Sequence, residues 1–176
     1  MILFADESSV QLLPNVVHTY SLVGHRPVLK WYKKSEKVYV ISAIAPSGKM
    51  YYQTGGHRFK SAGIVRFLKH LLSRIPCKIH LIWDGSALHF SEKIKALLST
   101  LKPGRLTLYK LPAHSPELNP DEQVWAYLKQ ESDLKNFAAK NFTELRERVI
   151  QHMEELKQKP QRIKAMFLHQ DCGWEI

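Results

Sequence analysis

Three acidic residues, Asp6, Asp84 and Glu122, stand where carboxylate chemistry would have consequences. Asp6 follows the apolar run Ile2-Leu3-Phe4-Ala5, and Asp84 follows Lys78 to Trp83 (KIHLIW). Both runs read as short strands, the second covered on both faces. In α/β sheets, ligands gather in the crevice beyond the carboxyl ends of strands. Two carboxylates brought together there repel each other and lose hydration, so one takes up a proton or a cation neutralises them. Hard divalent ions such as Mg²⁺ take carboxylate oxygens, and two ions roughly 3.5 to 4 Å apart clamp the attacking and leaving oxygens of a phosphodiester displacement. Glu122 offers a third carboxylate, in the first turn of a helix that starts at Asn119-Pro120-Asp121-Glu122. Simpler readings stand beside these. A strand-end aspartate commonly accepts backbone hydrogen bonds. Asn119-x-x-Glu122 also has capping-box spacing, which would turn the glutamate back onto the Asn119 amide.

The elements that must position these residues alternate along the chain. Lys37 to Ala45 (KVYVISAIA) is rich in β-branched residues and is closed by Pro46-Ser47-Gly48, so Lys49 to Thr54 can pair back as a hairpin. Residues 7 to 30 carry Pro14, Gly24 and Pro27 and read as an irregular or hairpin excursion. Ser61 can cap a helix with Ile64, Phe67, Leu68, Leu71, Leu72 and Ile75 on one face, stopped by Pro76. Ser91 to Leu101 reads as a helix, Leu106 to Leu111 as a strand, and Thr143 to Leu156 as an amphipathic helix that Pro160 ends before a short final segment. The expected order is β, ββ, α, β, α, β, αα, an α/β fold. Trp125, three residues past Glu122, is core packing by its helical spacing.

Length and composition bound the class. The 176 residues suit one domain, and 44% hydrophobic with 10% aromatic residues excludes bulk disorder. No apolar run approaches the ~18 residues of a membrane span, and the start is too short and acidic for a signal peptide. Two cysteines cannot build a disulfide framework, and a soluble cytoplasmic protein is expected. Cys77-x-x-His80 with His169-x-x-Cys172 has zinc-type ligands, but residues three apart on a strand point to opposite faces and do not chelate together. There is no Walker loop, dinucleotide fingerprint or Gly-x-Ser-x-Gly elbow, so no organic cofactor is expected.

The net charge of +10 is concentrated: residues 30 to 80 hold eleven bases and one acid. A concentrated positive face attracts polyanions by releasing counterions, so nucleic acid leads the partner list, ahead of an anionic membrane surface. Lys30, Lys33, Lys34, Arg58 and Lys60 cluster around the expected hairpin with Trp31, Tyr32 and Phe59, and are the candidate phosphate contacts. A merely solvated basic face is the simpler alternative.

FADES around Asp6, WDGSALH around Asp84 and, above all, LPAHSPELNPDEQVWAYLK around Glu122 resemble the catalytic core of DDE transposases, specifically bacterial insertion-sequence members of the mariner-like superfamily. The resemblance runs in order over nearly the whole chain, with 37 residues between Asp84 and Glu122. It implies a ribonuclease-H-like fold with a mixed central sheet flanked by helices, formed by a single catalytic domain over residues 1–176. It further implies two Mg²⁺ or Mn²⁺ ions, and cleavage and strand transfer at transposon ends. By match to the motif, Asp6, Asp84 and Glu122 would be the catalytic, metal-binding carboxylates. His89 matches a histidine usual in the family, where it would assist near the metals or orient DNA, although a polar residue at a helix entrance is the plainer reading.

Gly85 after Asp84, where asparagine is frequent, and His114, where an aromatic residue is frequent, depart from the pattern. Such transposases carry an amino-terminal helix-turn-helix domain, which is expected to be absent because Asp6 lies five residues from Met1. A transposase split over two reading frames, or a truncated remnant, would follow. Pairing of two transposon ends implies a homodimer on DNA, although no heptad run supports one. The alternatives in function are a nuclease of the same fold without strand transfer, and an inactive DNA-binding remnant.

Overall fold

The computed structural model describes residues 1–11, 23–24, 36–84, 86–112, 115–131, 134 and 139–168. Five strands, β1 (Ile2–Gln11), β2 (Lys37–Ile44), β3 (Met50–Gly55), β4 (Ile79–Trp83) and β5 (Leu106–Lys110), form one sheet in the order β3-β2-β1-β4-β5. The β-branched β2 and its partner β3 make the expected antiparallel hairpin. Gly48 turns the corner with φ of 84°, and a Cβ there would meet the Pro160 carbonyl oxygen at 2.6 Å, so only glycine fits. β1 pairs antiparallel with β2 and parallel with β4, which pairs parallel with β5. The sheet is therefore mixed.

β1 is longer than its apolar run suggests. Pairing with β4 covers only Ile2 to Phe4, whereas pairing with β2 runs from Phe4 to Gln11. Asp6 thus sits inside a strand rather than at its end. It still lies just past the point where β1 and β4 part, because the β2 ladder satisfies the polar Glu7, Ser8 and Ser9 backbone. Continuing the β1–β4 register by two residues sets Asp6 opposite Asp84, which directly follows β4.

Side chains alternate across the sheet and sort into two cores. Leu3, Ala5, Ile41, Ala43, Leu81 and Trp83 join the core beneath α1 (Ser61–Arg74) and α2 (Glu92–Ser99). Phe4, Val38, Val40 and Ile44 join the core on the opposite face, beneath α3 (Glu122–Ala126), α4 (Phe142–Lys157) and α5 (Pro160–Phe167). Phe67 of α1 is fully buried and meets Trp83 edge-on, with centroids 6.3 Å apart. The Arg105 guanidinium donates to the carbonyls of Leu72 and Ile75 at the end of α1 and to that of Cys77 beyond it, satisfying acceptors the helix leaves open and opposing its dipole.

Two local expectations are corrected, and one cap is added. Lys60, not Ser61, occupies the α1 N-cap position, and no side chain caps that helix. Asn141, one residue before α4, supplies the side-chain cap, accepting from the Glu144 amide at 2.9 Å. Pro160 does not merely end α4: it opens α5 at a position where its missing N–H costs nothing, and Ile163 and Phe167 are buried in the core. Among the described residues no helix is long and apolar enough to cross a membrane.

Candidate active site

Each carboxylate of the trio comes from a different kind of element. Asp6 is carried by the central strand, on the face of the sheet covered by α3. Glu122 opens α3, and Asp84 begins the loop after β4. The rest of the α3 start is tied to the strands. Asn119 Nδ2 donates to the Ala5 carbonyl at 3.1 Å, and Asn119 Oδ1 accepts from the Asp121 amide at 3.2 Å. Ser42 Oγ donates to Asp121 Oδ2 at 2.6 Å. Ser42 is the β2 residue paired with Asp6, so these bonds set α3 over β1 at the level of Asp6.

The capping-box reading of Glu122 fails. The Asn119 amide donates to the Pro116 carbonyl, and the Asn119 side chain is used by Ala5 and Asp121. Glu122 is half-buried and close enough to Asp6 for its charge to act there.

Asp6 is pushed up to about 7 from the ordinary aspartate value of 3.8. Burial is the largest cause, and the Glu122 and Asp84 charges raise it further, Glu122 the more strongly. Opposing them, Trp125 Nε1 donates to Asp6 Oδ2 at 2.6 Å, and the Glu7 backbone N–H also favours the carboxylate. Trp125 therefore does more than fill the core: it is buried there, yet its one polar atom is aimed at Asp6. Asp121, fully buried next door, is raised well above the usual range, first by burial and then by Asp6 and Glu122, against the Ser42 bond.

Asp84 lies on the open side of the site, its side chain 54% exposed. Its Oδ1 accepts from the Ser86 amide at 3.1 Å and faces His89 Nδ1 at 2.6 Å. The His89 bond holds Asp84 below its ordinary value, against partial burial. The His89 ring is buried, stacks on Trp83 at 3.9 Å between centroids and reaches Glu7 Oε1 through Nε2 at 2.9 Å. Burial alone would lower the imidazolium, but its bonds to Asp84 and Glu7 overcome that and lift it to about 9. A histidine with a carboxylate on each ring nitrogen is a charged strut between β1 and the β4 loop.

Asp6, Glu7, Asp84 and His89 line a cleft of about 440 Å³ that also holds Arg58 and Lys37. Of the expected phosphate contacts, Arg58 and Lys60 are exposed, Arg58 in this cleft. Lys30, Lys33 and Lys34 lie outside the described residues, as do Trp31, Tyr32, Gly85 and His114. Of the zinc-type ligands, His80 Nδ1 meets the Tyr109 hydroxyl at 2.9 Å, and His169 and Cys172 lie outside the described residues.

Among the described residues no three His, Cys, Asp or Glu side chains converge closely enough to hold a metal ion as they stand. The bonds of Asp6 to Trp125 and of Asp84 to His89 point those oxygens at protein donors. The donor set nevertheless suits a hard divalent cation: all three are carboxylates, and the innermost is driven toward its neutral form first by burial and then by the other two charges. Trp125, Ser42, Asn119, Asp121 and Glu7 escaped the sequence reading as parts of the site. Only Asn119 and Asp121 had a local signal, the helix start.

The fold is shared with solved transposases. The Mos1 mariner paired-end complex with Mn matches with a TM-score of 0.65 at 14% identity over 99% of this chain and 56% of that one. The paired-end complex with Mg gives 0.65 at 15% identity, again covering 99% and 56%. The catalytic domain of Mos1 mariner transposase gives 0.56 at 14% identity, covering 99% of this chain and 84% of that domain. This chain therefore spans a little over half the length of the complete Mos1 chains and nearly all of the catalytic domain, whose ribonuclease-H-like architecture it has. No curated protein matches it in sequence. The family model described as DDE superfamily endonuclease matches residues 1–146, a span that takes in the whole sheet, the α3 start and all three carboxylates. On that match the chain belongs to the DDE superfamily endonucleases.

Proposed function

We propose that this chain is the catalytic part of a transposase of the bacterial insertion-sequence type, cutting DNA at transposon ends and joining the freed 3′ end to a target. The observation that carries the reading is the crowding of Asp6 by Glu122 and Asp84 at the parting of β1 and β4. A carboxylate pushed toward neutrality by burial and then by two neighbouring charges is a site short of positive charge.

In this reading Asp6, Asp84 and Glu122 hold two Mg²⁺ or Mn²⁺ ions, and the solved Mos1 complexes with Mg and Mn support the choice. Bound there, such ions would supply Lewis-acid activation of the attacking oxygen and charge stabilisation of the leaving one. The chain's own residues position and balance charge. Trp125 keeps Asp6 aimed and favours its ionised form, while Asn119, Asp121 and Ser42 hold Glu122 over the strand. His89 holds Asp84 and must yield it for coordination, its charge retained by Glu7. Arg58, which lines the same cleft, would contact the DNA backbone there. The mariner complexes contain paired transposon ends, which supports DNA as substrate and a dimer on it.

The test is cleavage of labelled duplex carrying the element's ends, with Mg²⁺ or Mn²⁺ present. Nicking followed by a joined product is expected, and Asp84→Asn should remove both while leaving salt-dependent DNA binding intact. Nicking without joining would reduce the function to a nuclease, and full cleavage by Asp84→Asn would remove Asp84 from the site.

A further inference from the structure

A second cavity, larger than the carboxylate cleft, runs along β3, the edge strand at the far side of the sheet from β5. It measures about 950 Å³. Its floor is the β3 edge, where backbone groups are left unpaired by the ladder. One wall is the α1 stripe Arg66, His70, Arg74, and the other is the α4 stripe Arg146, Ile150, Glu154, Lys157. Both stripes follow helical spacing, so each presents one continuous face to the groove.

The charge in this groove is one-sided. Arg58, Lys60, Arg66, Arg74, Arg146 and Lys157 line it, all exposed, against the single acid Glu154. Glu154 is already engaged, accepting from the Tyr52 hydroxyl at 2.7 Å and from Lys157 at 3.2 Å. The other five cations make no ion pair among the described residues. On a merely solvated face, neighbouring acids at helical spacing would partner these bases, yet α1 contains no acid at all. His70 reports the resulting field: burial lowers its proton affinity first, and the Arg74 and Lys157 charges lower it further.

The groove is also joined to the carboxylate cleft. Arg58 and Phe59 line both cavities, so a chain of phosphates leaving Asp84 passes Arg58 directly into the groove. Six residues of β3 at ~3.3 Å each span about 20 Å, the length of roughly six base pairs at ~3.4 Å.

We propose that the β3-edge groove between α1 and α4 is a second DNA-binding site, which grips the backbone of the duplex on one flank of the scissile phosphate through Arg66, Arg74 and Arg146. This rests on the reading of the neighbouring cleft as a DNA-cleaving site. It adds cations that sequence reading did not single out and a path for the DNA beyond the active site.

The test is binding of a blunt duplex of about 20 base pairs, without metal, across a salt series. Each lost phosphate contact lowers the slope of log affinity against log salt by about 0.9. The variant Arg66→Ala/Arg74→Ala/Arg146→Ala should lose about two to three from that slope and bind at least about tenfold more weakly at ~100 mM salt. The control Lys93→Ala/Lys102→Ala/Lys164→Ala, exposed bases elsewhere, should lose less than one. An unchanged slope in the groove variant, or an equal loss in the control, overturns the proposal. If the triple variant does not fold, Glu154→Gln decides. Its amide can still accept from Tyr52 but releases Lys157, so binding should tighten, and unchanged binding overturns the proposal. Because these readouts need no cleavage, a wild type that binds through the groove yet never nicks DNA would defeat the proposed function alone.

Discussion

The indole N–H of Trp125 donates to Asp6 Oδ2 at 2.6 Å across the joint between α3 and the central strand. It is the strongest opposition to the burial and charges that drive the Asp6 proton affinity up to about 7. Trp125→Phe removes the donor while keeping an aromatic ring in the core. The Asp6 pKa should then rise above 7, moving the acid limb of the cleavage pH profile upward, at a stability cost of about 1 to 2 kcal/mol. A pH profile identical to wild type would leave Trp125 as core packing only.

Asp6 itself should weaken the metal-free fold. Its folded pKa of about 7 lies above the ordinary 3.8, so between those values the native state binds more protons than the unfolded chain. By linkage, stability then falls as pH rises from about 4 to 7 and levels off above. Asp6→Asn should abolish cleavage and stabilise the protein at pH 8 by about 2 kcal/mol, with that fall flattened. Denaturant unfolding in EDTA at pH 5 and pH 8 measures this, and a destabilised variant at pH 8 would refute it.

For His89 the window is different. Its folded value of about 9 exceeds the ordinary 6.5, so its contribution is fully present below pH 6.5 and is lost as pH climbs to 9. Metal-free melting temperature should decline across that range in wild type and stay flatter in His89→Asn. Titration of the His89 ring by NMR gives an independent check: a midpoint near 6.5 would mean the Asp84 and Glu7 bonds do not hold in solution.

Glu122→Gln separates site from scaffold. Because Glu122 makes no capping-box bond to Asn119, the change should leave stability within about 0.5 kcal/mol once the easing of Asp6 is allowed for. It should remove cleavage and bring the Asp6 pKa down, since Glu122 is the charge that raises it most. Cleavage at the wild-type rate would exclude Glu122 as a metal ligand.

Much of the architecture is legible in the chain because periodicity reports burial. KVYVISAIA, KIHLIW and the Ile64-Phe67-Leu68-Leu71 stripe each became the element their spacing indicates. The extension of β1 beyond Asp6 is not legible, because Glu7 to Ser9 are polar and stay in the strand only through long-range pairing with β2. α5 is hidden for a related reason: a proline reads equally as the end of one helix or the start of the next, and the docking of Phe167 against Phe4, 5.6 Å between rings, decides it. The proposed carboxylate trio stands out in the sequence through its motifs. Its supports are not, since Ser42 and Trp125 look like a strand serine and a core tryptophan until Asp121 and Asp6 are folded against them.

Asp6 and Glu122 rest on backbone of opposite durability. Asp6 belongs to the middle strand of five, hydrogen-bonded on its β2 side and flanked by both cores, so its amide should exchange with solvent only when the whole domain opens. Glu122 begins a helix of five residues that passes at once into the wider π winding of Tyr127–Glu131. Hydrogen exchange should therefore find a rigid anvil under Asp6 and a loosely wound arm above it, so that adjustment to an arriving substrate is made by the arm.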